Sequence, residues 1–197
     1  MKKIITTLLV IFISGLIGFY IASNYQAKTH QTTVPIITPS KVSTAQSPVP
    51  AAEPQTMQIP SLNVKAKIEK VGKTSSGAMD IPRDANNVAW YELGPKPGEK
   101  GSAVIAGHFD KSDGSAAVFY NLSNLKPQDK IIVTDQNGKS TTFIVTFATA
   151  YPFATFPIEK VFGNSDTANL NLITCAGTWD VNTKNYSNRY VVFSKAS

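Results

Sequence analysis

The chain of 197 residues holds one cysteine, two histidines and two arginines, and these scarcities bound its chemistry. A single thiol, Cys175, excludes an intramolecular disulfide. Charge is sparse too: 16% of residues are charged, with a net of +6. Half of that net sits in residues 1–56, where Lys2, Lys3, Lys28 and Lys41 face only Glu53. The remainder is mild and mixed with Asp and Glu, which excludes the basic footprint of a nucleic-acid binder. No acidic cluster shows calcium-ligand spacing, because Asp110 and Asp113 offer too few oxygens and Glu159 and Asp166 read as solvated surface charges. No metal, cofactor or internal repeat is expected, and a monomer is.

One long hydrophobic run is present. Lys2 and Lys3 precede Ile4 through Ala22, nineteen uncharged and mostly apolar residues. As a helix they would span roughly 28 Å, close to the hydrocarbon core of a bilayer. The run exceeds a signal-peptide core, and Ala22-Ser23-Asn24-Tyr25 offers no clean cleavage site. Residues 1–22 are therefore expected to anchor the chain, with Lys2 and Lys3 inside and the rest exported to the cell surface, facing the wall. Residues 23–56 are rich in Thr, Ser, Gln, Ala and Pro and cannot bury a core. They read as a disordered tether with a maximal reach of roughly 100 Å.

Residues 57–197 carry the folded pattern. Leu62 to Ile68 alternates apolar and polar residues, Ser102 to Phe109 is a small-residue strand, and Ile131–Val133 and Thr141–Ala150 flank an Asn137-Gly138 turn. Ser115–Leu125 suggests one short helix, and Pro157–Phe162 one helical turn. Leu170 to Cys175 reads as a half-buried strand that ends at the thiol, followed by a polar loop over residues 176–188 and a last strand from Arg189. Seven or eight short strands with little helix indicate an all-β fold, a closed or nearly closed barrel.

Cys175, His108 and Arg189 form the candidate site. Taken singly, each has a plainer reading: a small buried hydrophobe, a loop histidine, a surface charge. Together they make a reactive set. A thiol near its ordinary pKa is only a few per cent thiolate at neutral pH and gains from a cationic neighbour. His108 can exchange a proton with the thiol and with a leaving amine. Arg189 follows Cys175 by 14 positions, room for a loop and an antiparallel return beside it. There it can steady a thiolate or an oxyanion. His30 lies in the tether and reads as incidental. Trp179, in the loop after the thiol, reads as a packing residue or as an indole stacking on a bound peptide.

Ala106-Gly107-His108, Leu172-Ile173-Thr174-Cys175 and Tyr186-Ser187-Asn188-Arg189 resemble, in order and spacing, the three signatures of sortases, the cysteine transpeptidases of bacterial surfaces. The resemblance covers essentially residues 57–197, and the block from Trp90 through Asp110 looks most like class F. It implies an eight-stranded barrel with short helices. It also implies cleavage of an LPXTG-like sorting signal between Thr and Gly, a thioacyl intermediate on Cys175, and transfer to an amine of cell-wall peptide or a pilin lysine. By the same resemblance His108 is the general acid/base and Arg189 the stabilising cation. Thr174 and Ala106 would border the substrate groove, though Thr174 equally suits an inward-facing strand position. Two other readings stand beside this one. An L,D-transpeptidase would carry His-Gly-Cys-x-Arg around its nucleophile, which this chain lacks. A surface β-barrel binding module would keep the fold without turnover.

Overall fold

The structure, a computed structural model, describes residues 51–197. The expected anchor at residues 1–22 and most of the tether lie outside the described residues. Eight strands run β1 (Pro54–Ile59), β2 (Val64–Val71), β3 (Val88–Tyr91), β4 (Gly101–Gly107), β5 (Lys130–Asp135), β6 (Ser140–Pro152), β7 (Ala168–Asp180) and β8 (Asn185–Ala196). They close a barrel in the order β1-β2-β3-β4-β7-β8-β6-β5, with β5 returning to β1. Two pairings are parallel, β2 with β3 and β4 with β7.

The alternation of each strand sorts its side chains to two cores. Inside the barrel lie Met57, Ile59, Trp90, Ile105, Phe119, Leu122, Phe143, Leu170, Leu172 and Val192. Outside it, Val104, Ile173, Val191 and Phe193 form a second cluster, joined by Val161 of a short helix, α1 (Ile158–Phe162). Lys160 of α1 lies over the rings of Phe147, Tyr151 and Phe193, 5.2–5.5 Å from their centroids, and ties the helix to β6 and β8.

Four local expectations change. β1 begins at Pro54, inside the stretch read as tether, because Pro54 to Ile59 pairs with both β2 and β5. The segment 115–125 forms only a 3-10 turn at Leu122–Asn124; Phe119 and Leu122 enter the core from an irregular chain. β7 is buried on both faces from Leu170 to Thr174 rather than half wet. Asn171, which the alternation marked as solvated, is 2% exposed, and its amide Nδ2 donates to the Val161 carbonyl at 2.7 Å. The chain after Cys175 is no loop, since β7 and β8 continue as a hairpin to Asp180 and Asn185.

That hairpin is bent just past the thiol. The register slips between Ala176 and Trp179. Gly177 takes a φ of +82°, and a Cβ there would collide with the Ser187 hydroxyl, so only glycine fits this bulge. Gly107 is constrained differently: a Cβ would sit 2.5 Å from Cδ2 of the fully buried Phe119. Gly107→Ala is expected to overpack the inner core, lowering stability by about 1–3 kcal/mol, a drop of several degrees in Tm measurable by calorimetry.

Candidate active site

Three adjacent strands present the site from one face. Cys175 of β7 pairs directly with Arg189 of β8, placing their Cβ atoms about 5 Å apart as cross-strand partners. On the other side of β7, Val104 pairs with Asn171 and Ala106 with Ile173 in parallel register. That pairing ends at Ala106 and Ile173, and β4 ends at Gly107, so His108 is the first residue past the strand. The Thr174 hydroxyl donates to the Gly107 carbonyl at 2.9 Å and holds the strands level at this point. Side chains alternate, so Val104 and Ala106, then Asn171, Ile173 and Cys175, then Phe193, Val191 and Arg189 share the outer face.

Thr174 lies on the opposite face. It is 4% exposed and its hydroxyl is committed to Gly107. It thus takes the inward β-branched position of the strand. Ala106, half-buried between Ala89 and Ile173, lies on the outer face with the thiol. Trp179 is 48% exposed, past the bulge, and packs edge-on against Tyr186 with its centroid 5.2 Å away.

His108 is buttressed from behind. Its Nε2 is 2.9 Å from the Pro82 carbonyl. A carbonyl only accepts, so Nε2 carries the proton and, in the neutral ring, Nδ1 keeps the lone pair. The Pro82 segment is itself pinned: Glu69 accepts from the backbone N–H groups of Arg83 and Asp84 and from the Asn87 amide. Partial burial opposes the charge on Glu69, but these three donors together hold its carboxyl below the ordinary carboxylate range. The His108 carbonyl accepts from the Phe119 N–H at 3.0 Å, so the backbone on either side of the ring is fixed.

Arg189 curls back along its own strand. Its NH1 donates to the carbonyls of Tyr186 and Asn188, its NH2 to Asn185 Oδ1, and its Cζ lies 4.5 Å from the centroid of the Phe153 ring. Phe153, from the β6–β7 connection, caps the guanidinium by a cation–π contact. The charge still reaches Cys175. Burial pushes the Cys175 thiol above its ordinary value, Arg189 pulls it down, and Asp110 pushes it up; burial wins.

Asp110 and Tyr186 were not recognised as a site pair from the sequence. The Tyr186 hydroxyl donates a short hydrogen bond to Asp110 Oδ2, which raises Tyr186 to about 12. Tyr186 stands three residues before Arg189 and Asp110 two after His108, but a separation of 76 positions leaves no signal of their contact. Among the described residues no group of three His, Cys, Asp or Glu is placed to hold a metal ion. Chemically, the arrangement offers a half-buried thiol, a cation one strand away and an imidazole with one free nitrogen one strand to the other side.

The family model described as "Sortase domain" matches residues 57–197. No match is found among curated proteins. Solved structures share the fold. Sortase A from Corynebacterium diphtheriae aligns with a TM-score of 0.57 at 20% identity, over 76% of this chain and 62% of that one. Sortase C-1 from Actinomyces oris aligns with a TM-score of 0.56 at 23% identity, over 72% of each chain. Listeria monocytogenes sortase A aligns with a TM-score of 0.55 at 20% identity, over 75% of this chain and 88% of that one. The present chain thus spans less than two thirds of the diphtheria protein's length.

Since Arg189 is the cation that favours the thiolate, Arg189→Gln is expected to move the pH profile of Cys175 alkylation further up. With iodoacetamide the wild-type midpoint should lie above that of an ordinary free thiol, and the variant's above that. A variant profile at or below the wild-type one would show that the guanidinium does not act on the sulfur.

Proposed function

The chain belongs to the sortase family, whose members are cysteine transpeptidases, and from that premise we propose that Cys175, His108 and Arg189 carry out peptide transfer here. The observation that supports it is the cross-strand pairing of Cys175 with Arg189, with His108 directly following β4, the strand paired to β7 on its other side.

In this reading Cys175 rests as a thiol, its proton held by burial. His108 Nδ1, the nitrogen not bonded to Pro82, takes that proton. The sulfur then attacks the carbonyl carbon of a threonine in an LPXTG-like signal. The charge that develops on the carbonyl oxygen is stabilised by the Arg189 guanidinium. Collapse breaks the Thr–Gly bond, and the departing glycine amine takes the proton from His108, leaving a thioester on Cys175. An acceptor amine, from cell-wall peptide or a pilin lysine, attacks the thioester, gives up a proton through His108 and releases the thiol. No metal or cofactor takes part in these steps.

The half-buried Ala106 on the outer face and the exposed Phe153, Ile158 and Trp179 give a peptide an apolar rim to lie against. The block from Trp90 to Asp110 favours class F, and residues 1–22 favour a membrane-anchored enzyme whose domain faces the wall.

Incubation of the protein with an LPXTG-containing peptide is expected to give a covalent adduct on Cys175 by intact mass, with release of the glycine-side fragment. Cys175→Ala should abolish both. His108→Ala should slow cleavage by about 10²–10⁴-fold, and Arg189→Ala by about 10²–10³-fold. Cleavage by Cys175→Ala at the wild-type rate would end this reading, and a module that only binds would retain the peptide uncut.

A further inference from the structure

A chain of contacts that the proposed reaction does not use surrounds the thiol. Arg189 donates through NH1 to the Tyr186 carbonyl. The Tyr186 hydroxyl donates to Asp110, which stands two residues beyond His108 in the segment leaving β4. Phe109 reinforces the contact, stacking on Tyr120 with centroids 4.9 Å apart and meeting Tyr186 edge-on at 5.7 Å. Asp110 is also fixed by its backbone, bridged to Ala116. The link therefore joins the segment that carries His108 to the hairpin that carries Cys175 and Arg189, and it holds a carboxylate on Tyr186, three residues from Arg189.

We propose that Asp110 is a positioning residue with two effects: its bond to Tyr186 clamps the His108 segment onto the β7–β8 hairpin, and its negative charge opposes Arg189 at Cys175, adding to the burial that keeps the resting site a thiol. The charged and titratable groups around the sulfur are Arg189 and Tyr186 from β8 and His108 and Asp110 from the end of β4. Lys160 of α1 is engaged by the Phe147, Tyr151 and Phe193 rings farther along the sheet. Asp110 is thus the carboxylate among these groups. The direction of its influence on the thiol, upward and against Arg189, agrees with this placement.

The proposal rests on Cys175 as the reactive group of the transpeptidase, yet alkylation reads the thiol whether or not peptide is cleaved. Asp110→Asn keeps an oxygen to accept the Tyr186 hydroxyl and removes the charge. Its alkylation profile should move to lower pH, with about threefold faster reaction with iodoacetamide at pH 7. Asp110→Glu should restore the wild-type profile. Tyr186→Phe keeps the charge and removes the clamp: its profile should not move to lower pH, while kcat/KM for the sorting peptide falls about tenfold. Melting curves establish that each variant is folded before it is read. An Asp110→Asn profile that superimposes on wild type or rises would overturn the role of the charge. Unchanged kcat/KM in Tyr186→Phe would overturn the clamp. Wild type that alkylates as expected yet cleaves no peptide counts against the transpeptidase reading alone.

Discussion

The site depends on the register of three neighbouring strands. Parallel pairing of β4 with β7 and antiparallel pairing of β7 with β8 bring residues far apart in sequence to one level of the barrel wall. Because side chains alternate with a period of two, a slip of one residue in either pairing would turn His108 or Arg189 to the opposite face from Cys175. The register is held by burial on both sides. Leu170 and Leu172 fill the barrel, Ile173 packs outside it, and the Thr174 hydroxyl and Asn171 amide each find a carbonyl partner. A slip would strand those two polar groups in apolar surroundings, at about 1–3 kcal/mol each. The same contacts that make β7 a core strand therefore fix the geometry of the reactive groups.

Burial and charge pull the thiol in opposite directions, and the structure lets burial prevail. Arg189 is close enough to lower the thiol but has its donors on Tyr186, Asn188 and Asn185, with Phe153 across its face. Its role at rest is therefore that of a charge acting through space. Three of its five N–H groups are engaged in this way, which leaves Nε–H and one terminal N–H to meet an oxyanion. This division suits a lone cysteine. The thiolate is the form that reacts with oxidants as well as with substrates. A site that rests as thiol and ionises when a base and a substrate are in place limits side reactions.

The barrel and the pairing of Cys175 with Arg189 were legible from the sequence because both rest on short-period patterns. Alternation in Leu62–Ile68 and Leu170–Cys175, the Asn137-Gly138 turn and the spacing of Cys175 from Arg189 each report local geometry. What was misread depends on contacts between distant segments. Asn171 looked wet because polar residues usually are, but α1, reached through a separate connection, supplies Val161 to satisfy it. Residues 176–188 looked like a loop because glycine and polar residues dominate. There the Gly177 bulge bends the strand pair without ending it. Pro54 seemed part of a tether because proline donates no hydrogen bond, yet the first residue of a strand tolerates that loss.

The Asp110–Tyr186 contact belongs to the same class of feature, and it ties the electrostatics to the mechanics. His108 has one nitrogen on the Pro82 carbonyl, so its orientation follows the segments on either side of it. Behind it, Glu69 fixes residues 83 and 84; ahead of it, Asp110 is fixed by Tyr186. Two carboxylates thus hold the ring's neighbourhood without touching the ring. They differ in what else they reach: Glu69 is occupied by three donors on the far side, whereas Asp110 lies within range of the sulfur. A residue that both holds the base segment and opposes the cation couples the position of His108 to the protonation of Cys175. Any movement that breaks the Tyr186 bond would loosen the segment that carries the imidazole.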